Sequence, residues 1–198
     1  SLEALEFFKN FDIDILIVAC NSVSAYALNE MRENTTIPVV GVIESGVLAL
    51  ENKIENKNAN ILVIGTKATI NSRKYESALT KLKYKNIHSI STGLFVPIVE
   101  EDIFEGDILD STIQHYFKDL DNVDAVILGC THFPLIEDKI STFLNNATTI
   151  HSGDAIVEFL KSDYNCVKRF EKTSIKFFAS ENPNGLKETA KKWLKDLI

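Results

Sequence analysis

The sequence predicts an α/β protein whose parallel sheets are flanked by helices. Three observations predict it. Short apolar runs alternate along the chain with amphipathic stretches of helical rhythm, the pattern of strand–helix–strand crossovers. Several of these runs, Ile13–Ala19, Ile61–Ile64 and Ala125–Leu128, are too apolar to face water on either side; two-sided burial is the mark of a parallel strand covered by helices. The third observation is a repeated unit. Ile15–Ser24 and Val126–Ile136 each run from an apolar strand through a small residue (Ala19, Gly129) to a cysteine and a polar pair (Asn21-Ser22, Thr131-His132), and then to a helix start.

Taken in order, residues 2–10 read as the end of an amphipathic helix and Ile13–Ala19 as a strand. Ser24–Glu33 reads as a helix that Thr36-Ile37-Pro38 breaks before the strand Val39–Ile43. Then come strand Ile61–Ile64, helix Lys74–Lys83, strand Ile87–Ser91, helix Asp107–Leu120, strand Ala125–Leu128 and helix Leu135–Asn145. Pro134 suits a first helical turn, where its missing N–H costs nothing. Beyond Thr148–His151 the pattern gives helix Asp154–Ser162, with Asp154 as its cap, strand Ser174–Ala179 and helix Leu186–Leu197. Asn182-Pro-Asn-Gly185 has turn chemistry.

Composition narrows the function classes. With 45% hydrophobic and 25% charged residues, the 198-residue chain is that of a soluble globular protein. A net charge of −7, with no Lys/Arg-rich stripe to offset it, argues against nucleic acid as a partner. It does not exclude a small anionic substrate, since a pocket is governed by its local groups. No apolar run approaches the roughly 20 residues that span a bilayer, and the acidic, amphipathic opening is unlike a secretory signal. Three cysteines are an odd and sparse set, suited to free thiols in a reducing, cytoplasmic setting. The cysteines and four histidines show no metal-ligand spacing. Gly65-Thr66-Lys67 lacks the upstream glycine of a phosphate loop. No lysine sits where a pyridoxal Schiff base would be expected, so no cofactor is predicted.

Open α/β sheets bind ligands at the carboxyl ends of their strands, which is where Cys20 and Cys130 fall. A cysteine on a strand is most often a small buried hydrophobe, but two of them, each followed by polar residues at a strand end, favour chemistry. Two thiols on either side of a substrate suit inversion at a carbon. One, as thiolate, takes a proton while the other, as thiol, delivers one to the opposite face. A free thiol titrates near pH 8.5, so modest activation makes it a usable base.

The segments ACNSVSA (Ala19–Ala25) and LGCTHFPLI (Leu128–Ile136) resemble the two signature segments of cofactor-independent glutamate racemases, in the aspartate/glutamate racemase superfamily. GTKATI (Gly65–Ile70), LFVPIVEE (Leu94–Glu101) and HSGDAIVEF (His151–Phe159) are similar to further segments of that family, in the same order. The resemblance implies two pseudo-symmetric lobes, each a parallel sheet flanked by helices, with the active site in the cleft between them. Residues 1–43 plus 156–198 would form the first lobe and 44–155 the second. It also implies that Cys20 and Cys130 are the acid/base thiols and that Asn21, Ser22, Thr131 and His132 hold the substrate, glutamate. His132 would assist its neighbouring thiol, and Glu100 would receive the substrate ammonium. The implied role is supply of D-glutamate for bacterial peptidoglycan; a homodimer is compatible with all of this. Family members carry a further glycine-rich Asp-Ser-Gly loop and a Tyr-Gly segment ahead of the first cysteine. Their absence from these 198 residues leads to the expectation of a shortened chain with weak turnover.

Two other classes stay open on the residues alone. Cys130 and His132 could form a nucleophile–base pair of a hydrolase or transferase, though residues two apart in a loop need not face each other. A non-catalytic amino-acid-binding fragment is the third. Cys166, with no strand-end context, reads as a packing residue, as do His88 and His115 in structural settings. His151 reads as part of a helix-entry turn beside the cleft. Glu100 and Glu101, apart from the resemblance, read as solvated loop charges.

Overall fold

The computed structural model describes residues 1–163 and 174–193. The chain divides into two compact units, Ser1–Asn165 and Cys166–Ile198. The first contains every described strand.

That unit opens with α1 (Leu2–Phe8), β1 (Leu16–Val18), α2 (Asn21–Tyr26), α3 (Leu28–Glu33) and β2 (Val39–Gly41). β1 and β2 pair in parallel, Leu16 opposite Val39 and Val18 opposite Gly41. Leu5, Val18, Leu28, Met31 and Val39 make a buried cluster around this pair. The expected strands are shorter here than the apolar runs suggested: β1 starts three residues after Ile13, and β2 yields at Val42 to a helix. Among the described residues β1 pairs only with β2, and Ile17 remains 40% exposed.

The helix at Val42 is α4 (Val42–Lys53), which the sequence pattern missed. Gly46 in its middle lowers helix propensity, and apolar residues lie on more than one of its faces. The tertiary reason for the glycine is plain: a Cβ there would lie 2.9 Å from the Tyr75 hydroxyl. Likewise the single helix expected over Ser24–Glu33 is two, α2 and α3, divided at Ala27.

A four-stranded parallel sheet follows. β3 (Asn60–Gly65), β4 (Asn86–Ser91), β5 (Ala125–Gly129) and β6 (Thr148–Ile150) take the order β4-β3-β5-β6. Apart from the exposed Asn60 the two central strands are apolar: Ile61–Gly65 and Ala125–Gly129 are all buried. This is the two-sided burial their composition predicted. The register places Ile64 opposite Leu128 and Gly65 opposite Gly129. The helices between are α5 (Lys67–Asn71), α6 (Lys74–Lys81), α7 (Phe95–Glu100), α8 (Asp107–Phe117) and α9 (Glu137–Phe143), and α10 (Ser152–Asp163) packs on α4. One core cluster joins α4 and α6 to the sheet through Leu50, Ile61, Val63, Tyr75, Leu79 and Ile127.

Three expectations need correction in this unit. The segment Phe133–Ile136 is a 3-10 turn, so the helix expected from Leu135 begins at Glu137 and ends at Phe143. The stretch holding Glu100 is no loop but α7, with Glu100 as its last residue. Asp154 falls inside its helix rather than at the cap position, because α10 already begins at Ser152.

The second unit is described over 174–193. Residues 174–179, expected to be a strand, pair with no described strand; a β-prone sequence forms a strand only where a neighbour presents a ladder. α11 (Pro183–Trp193) begins earlier than expected. Asn182 in a left-handed conformation accepts the Gly185 N–H at 3.0 Å, so the turn-like cluster serves as the helix start. Cys166 and the end of the expected last helix lie outside the described residues. No helix among the described residues is long and apolar enough to cross a membrane.

Candidate active site

Parallel pairing sets the site. All strands of a parallel sheet end on the same side, so the loops after β3 and β5 are neighbours once Gly65 registers with Gly129. Cys130 is the first residue beyond β5, only 8% exposed, and Cys20 is the exposed residue at the entry to α2. Gly129 is required by close approach: a Cβ there would stand 2.6 Å from the Ile64 carbonyl oxygen of β3.

Around Cys130 the polar groups converge. Sγ lies 3.6 Å from Nδ1 of His132, and Nε2 of the same ring lies 3.3 Å from Oε1 of Glu100. The two residues therefore do face each other, although they are only two apart. An ionised Glu100 accepts from Nε2–H, which leaves Nδ1 as the ring's acceptor. In that tautomer the ring is placed to take the Cys130 proton. Burial pushes the Cys130 thiol up from its ordinary pKa, while the backbone N–H groups of His132 and Thr131 oppose the rise. The charges of Cys20 and of Glu100 push it the same way as burial. Cys130 is thus held protonated unless a base relieves it.

The residues after Cys20 are tied to the four-stranded sheet. Asn21, 3% exposed, accepts the Tyr75 hydroxyl hydrogen at Oδ1, 2.7 Å away. The Ser22 hydroxyl lies 2.8 Å from that of Thr66 and 3.1 Å from that of Thr69, and the two threonines are 3.2 Å apart. Thr66 caps α5 by accepting the Thr69 N–H. Hence the structure ties the segment Cys20-Asn21-Ser22 to the four-stranded sheet, whose β5 end carries Cys130, Thr131 and His132, with Glu100 reaching His132 from the end of α7. It adds Thr66, Thr69 and Tyr75, which residue-level reasoning did not single out. A strand-ending Gly65 followed by a capping threonine was the available signal for Thr66; nothing local marks Tyr75. His151 instead accepts the Gly153 N–H at 3.3 Å, at the start of α10. His88 is exposed on β4, and His115 stacks edge-on against Tyr116.

The site is thus that of an α/β protein with two thiols just past strands of separate parallel sheets, one of them backed by a His–carboxylate pair. The family model for Asp/Glu/Hydantoin racemases matches residues 1–160, and the chain belongs to that family. It is 58% identical over 197 residues to a glutamate racemase of a Nitratiruptor species, covering 99% of this chain and 78% of that protein. The crystal structure of glutamate racemase from Campylobacter jejuni subsp. jejuni superposes with a TM-score of 0.95 at 50% identity, over 100% of this chain and 79% of that one. Glutamate racemase from Francisella tularensis subsp. tularensis SCHU S4, solved in complex with D-glutamate, matches with a TM-score of 0.82 at 27% identity, over 98% of this chain and 74% of that one.

Proposed function

We propose that the chain is a glutamate racemase, an isomerase that interconverts L- and D-glutamate through Cys20 and Cys130 without a cofactor. The activity of the similar proteins supports the reaction. The observation that supports the mechanism is the placement of the two thiols just past strands of two separate parallel sheets, with Asn21 and Ser22 beside Cys20 bonded to Tyr75, Thr66 and Thr69 of the unit whose sheet ends at Cys130. A thiolate on one side takes the α-proton, so the C–H bond breaks and its electron pair is left on the α-carbon, spread into the carboxylate. The thiol on the other side then donates its S–H proton to the opposite face. The enzyme returns to its first state when one proton passes back between the thiols or is exchanged with solvent.

The other residues divide by reach. His132, oriented by Glu100, relieves the buried Cys130 of its proton when that thiol must act as base. Glu100, more exposed than His132, also offers charge to the substrate ammonium. Asn21, Ser22 and Thr131 supply donors for the substrate carboxylates; aimed at a developing enolate, such donors do most of the stabilising work. In this reading residues 1–43 belong to one lobe and 44–155 to the other. The enzyme acts in the cytoplasm on free glutamate destined for peptidoglycan.

The test is racemisation in heavy water with no added cofactor. Each product enantiomer should carry deuterium at the α-carbon, because the donating thiol exchanges with solvent. Cys20→Ser and Cys130→Ser should each abolish turnover. A Cys–His hydrolase would lose activity only with Cys130→Ser, and retained activity in Cys20→Ser would sink the two-thiol reading.

A further inference from the structure

One side chain touches the residues next to both thiols. Tyr75, in the first turn of α6, is 3% exposed. Its hydroxyl reaches Asn21, the neighbour of Cys20. The edge of its ring lies against Gly129, the neighbour of Cys130: a Cβ there would meet Tyr75 Cε2 at 3.4 Å. Its hydroxyl end also closes on Gly46 of α4. Asn21 in turn holds a buried Nδ2 that finds no partner among the described residues. A buried amide N–H group with no acceptor is uncommon in folded proteins and calls for a partner such as a water or a bound ligand.

On the racemase reading above, we propose that Tyr75 is a positioning residue that fixes the Asn21 amide, so that Nδ2 is offered to a carboxylate of the substrate. A phenol has one hydrogen to give, and inside this core Asn21 Oδ1 receives it. That contact decides which end of the amide is the acceptor and which is left to donate. Burial raises the phenol's pKa well above its ordinary value, so the hydroxyl remains a donor through the whole physiological range. Without it the contact that fixes Oδ1 is lost, and a turned amide would present its oxygen to a carboxylate. The same ring rests against Gly129, so the donor and the Cys130 strand end share one support.

Tyr75→Phe keeps the ring and removes only the hydroxyl. The expected result is a KM for glutamate raised about tenfold, the scale of one hydrogen bond to a charged group, with kcat within about threefold. Asn21→Ala should raise KM at least as much, and Tyr75→Phe combined with Asn21→Ala should be no worse than Asn21→Ala alone. A scaffold role would instead lower the urea midpoint and leave KM unchanged. An unchanged KM in Tyr75→Phe, additive effects in the double variant, or a Tyr75→Phe chain that fails to fold would each overturn the proposal. If the unaltered chain does not racemise glutamate, the racemase reading falls first and this one with it. If it does and Tyr75→Phe is silent, only the role of Tyr75 is lost.

Discussion

His132 stands between Cys130 and Glu100, with Nδ1 3.6 Å from the thiol sulfur and Nε2 3.3 Å from the carboxylate. The ring thus links the two groups. Replacing it with Gln should lower kcat by about 10²–10⁴, the usual contribution of a positioned acid or base. Glu100→Gln should cost no more than about tenfold, because its carboxylate is 60% exposed and pairing in water is weak. Steady-state kinetics on the two variants checks the ranking; a larger loss in Glu100→Gln would show that the carboxylate does more than orient the ring.

Labelling should separate the two thiols. Alkylation runs through the thiolate, and Cys130 is both buried and held protonated, whereas Cys20 is exposed. Iodoacetamide followed by mass spectrometry should find Cys20 modified first at about pH 7.5. The Cys130 rate should keep climbing well above pH 8.5, where an ordinary thiol begins to level off. The same raised pKa means that the native state holds this proton more tightly than the unfolded chain. Its contribution to stability is complete below the free thiol's pKa and fades as pH rises through the folded value. Faster labelling of Cys130 than of Cys20 would contradict both statements.

Gly129→Ala places a methyl group 2.6 Å from the Ile64 carbonyl, in backbone that cannot swing aside. Overpacking of this kind costs about 1–3 kcal/mol, and the displaced strand end should also slow turnover. Gly93→Ala, where a Cβ meets nothing within 4 Å, is the control. Urea unfolding of both should show a lowered midpoint for Gly129→Ala only.

Thr69→Val removes a hydroxyl that is almost fully buried and contacts both Ser22 and Thr66. The shape is kept, so the loss reports the polar contact. It should lower stability by about 1 kcal/mol and raise KM, because Ser22 loses one of its two hydroxyl partners. A variant with unchanged urea midpoint and kinetics would mean that Ser22 is held by Thr66 alone.

The central strands were legible because burial on both faces leaves no polar position: Ile61–Ile64 and Ala125–Leu128 could be read directly. So could the two cysteine units, whose residue order repeats. α4 was not legible, since the packing of Tyr75 against Gly46 overrides the helix-breaking tendency of glycine, and that contact joins residues far apart in the chain. The Cys130–His132 contact does not follow from their spacing alone, since the carboxylate of Glu100 at the end of α7, distant in sequence, meets the far side of the ring. Tyr75 was invisible to pattern, because its partners sit on α2, α4 and β5. Residues 174–179 had strand composition without a described neighbour to pair with, which composition does not reveal.

The two halves of the site are anchored very unequally. Cys130 leaves a five-residue strand bonded on both sides within a four-stranded sheet, whereas Cys20 follows a three-residue strand with one described partner. On warming, the short pair should open first, carrying Cys20 away while Cys130 is still locked in place. Catalytic inactivation should therefore run ahead of bulk melting. Residual activity assayed in situ should fall at a lower temperature than the far-ultraviolet signal, and on cooling before the larger sheet gives way it should return.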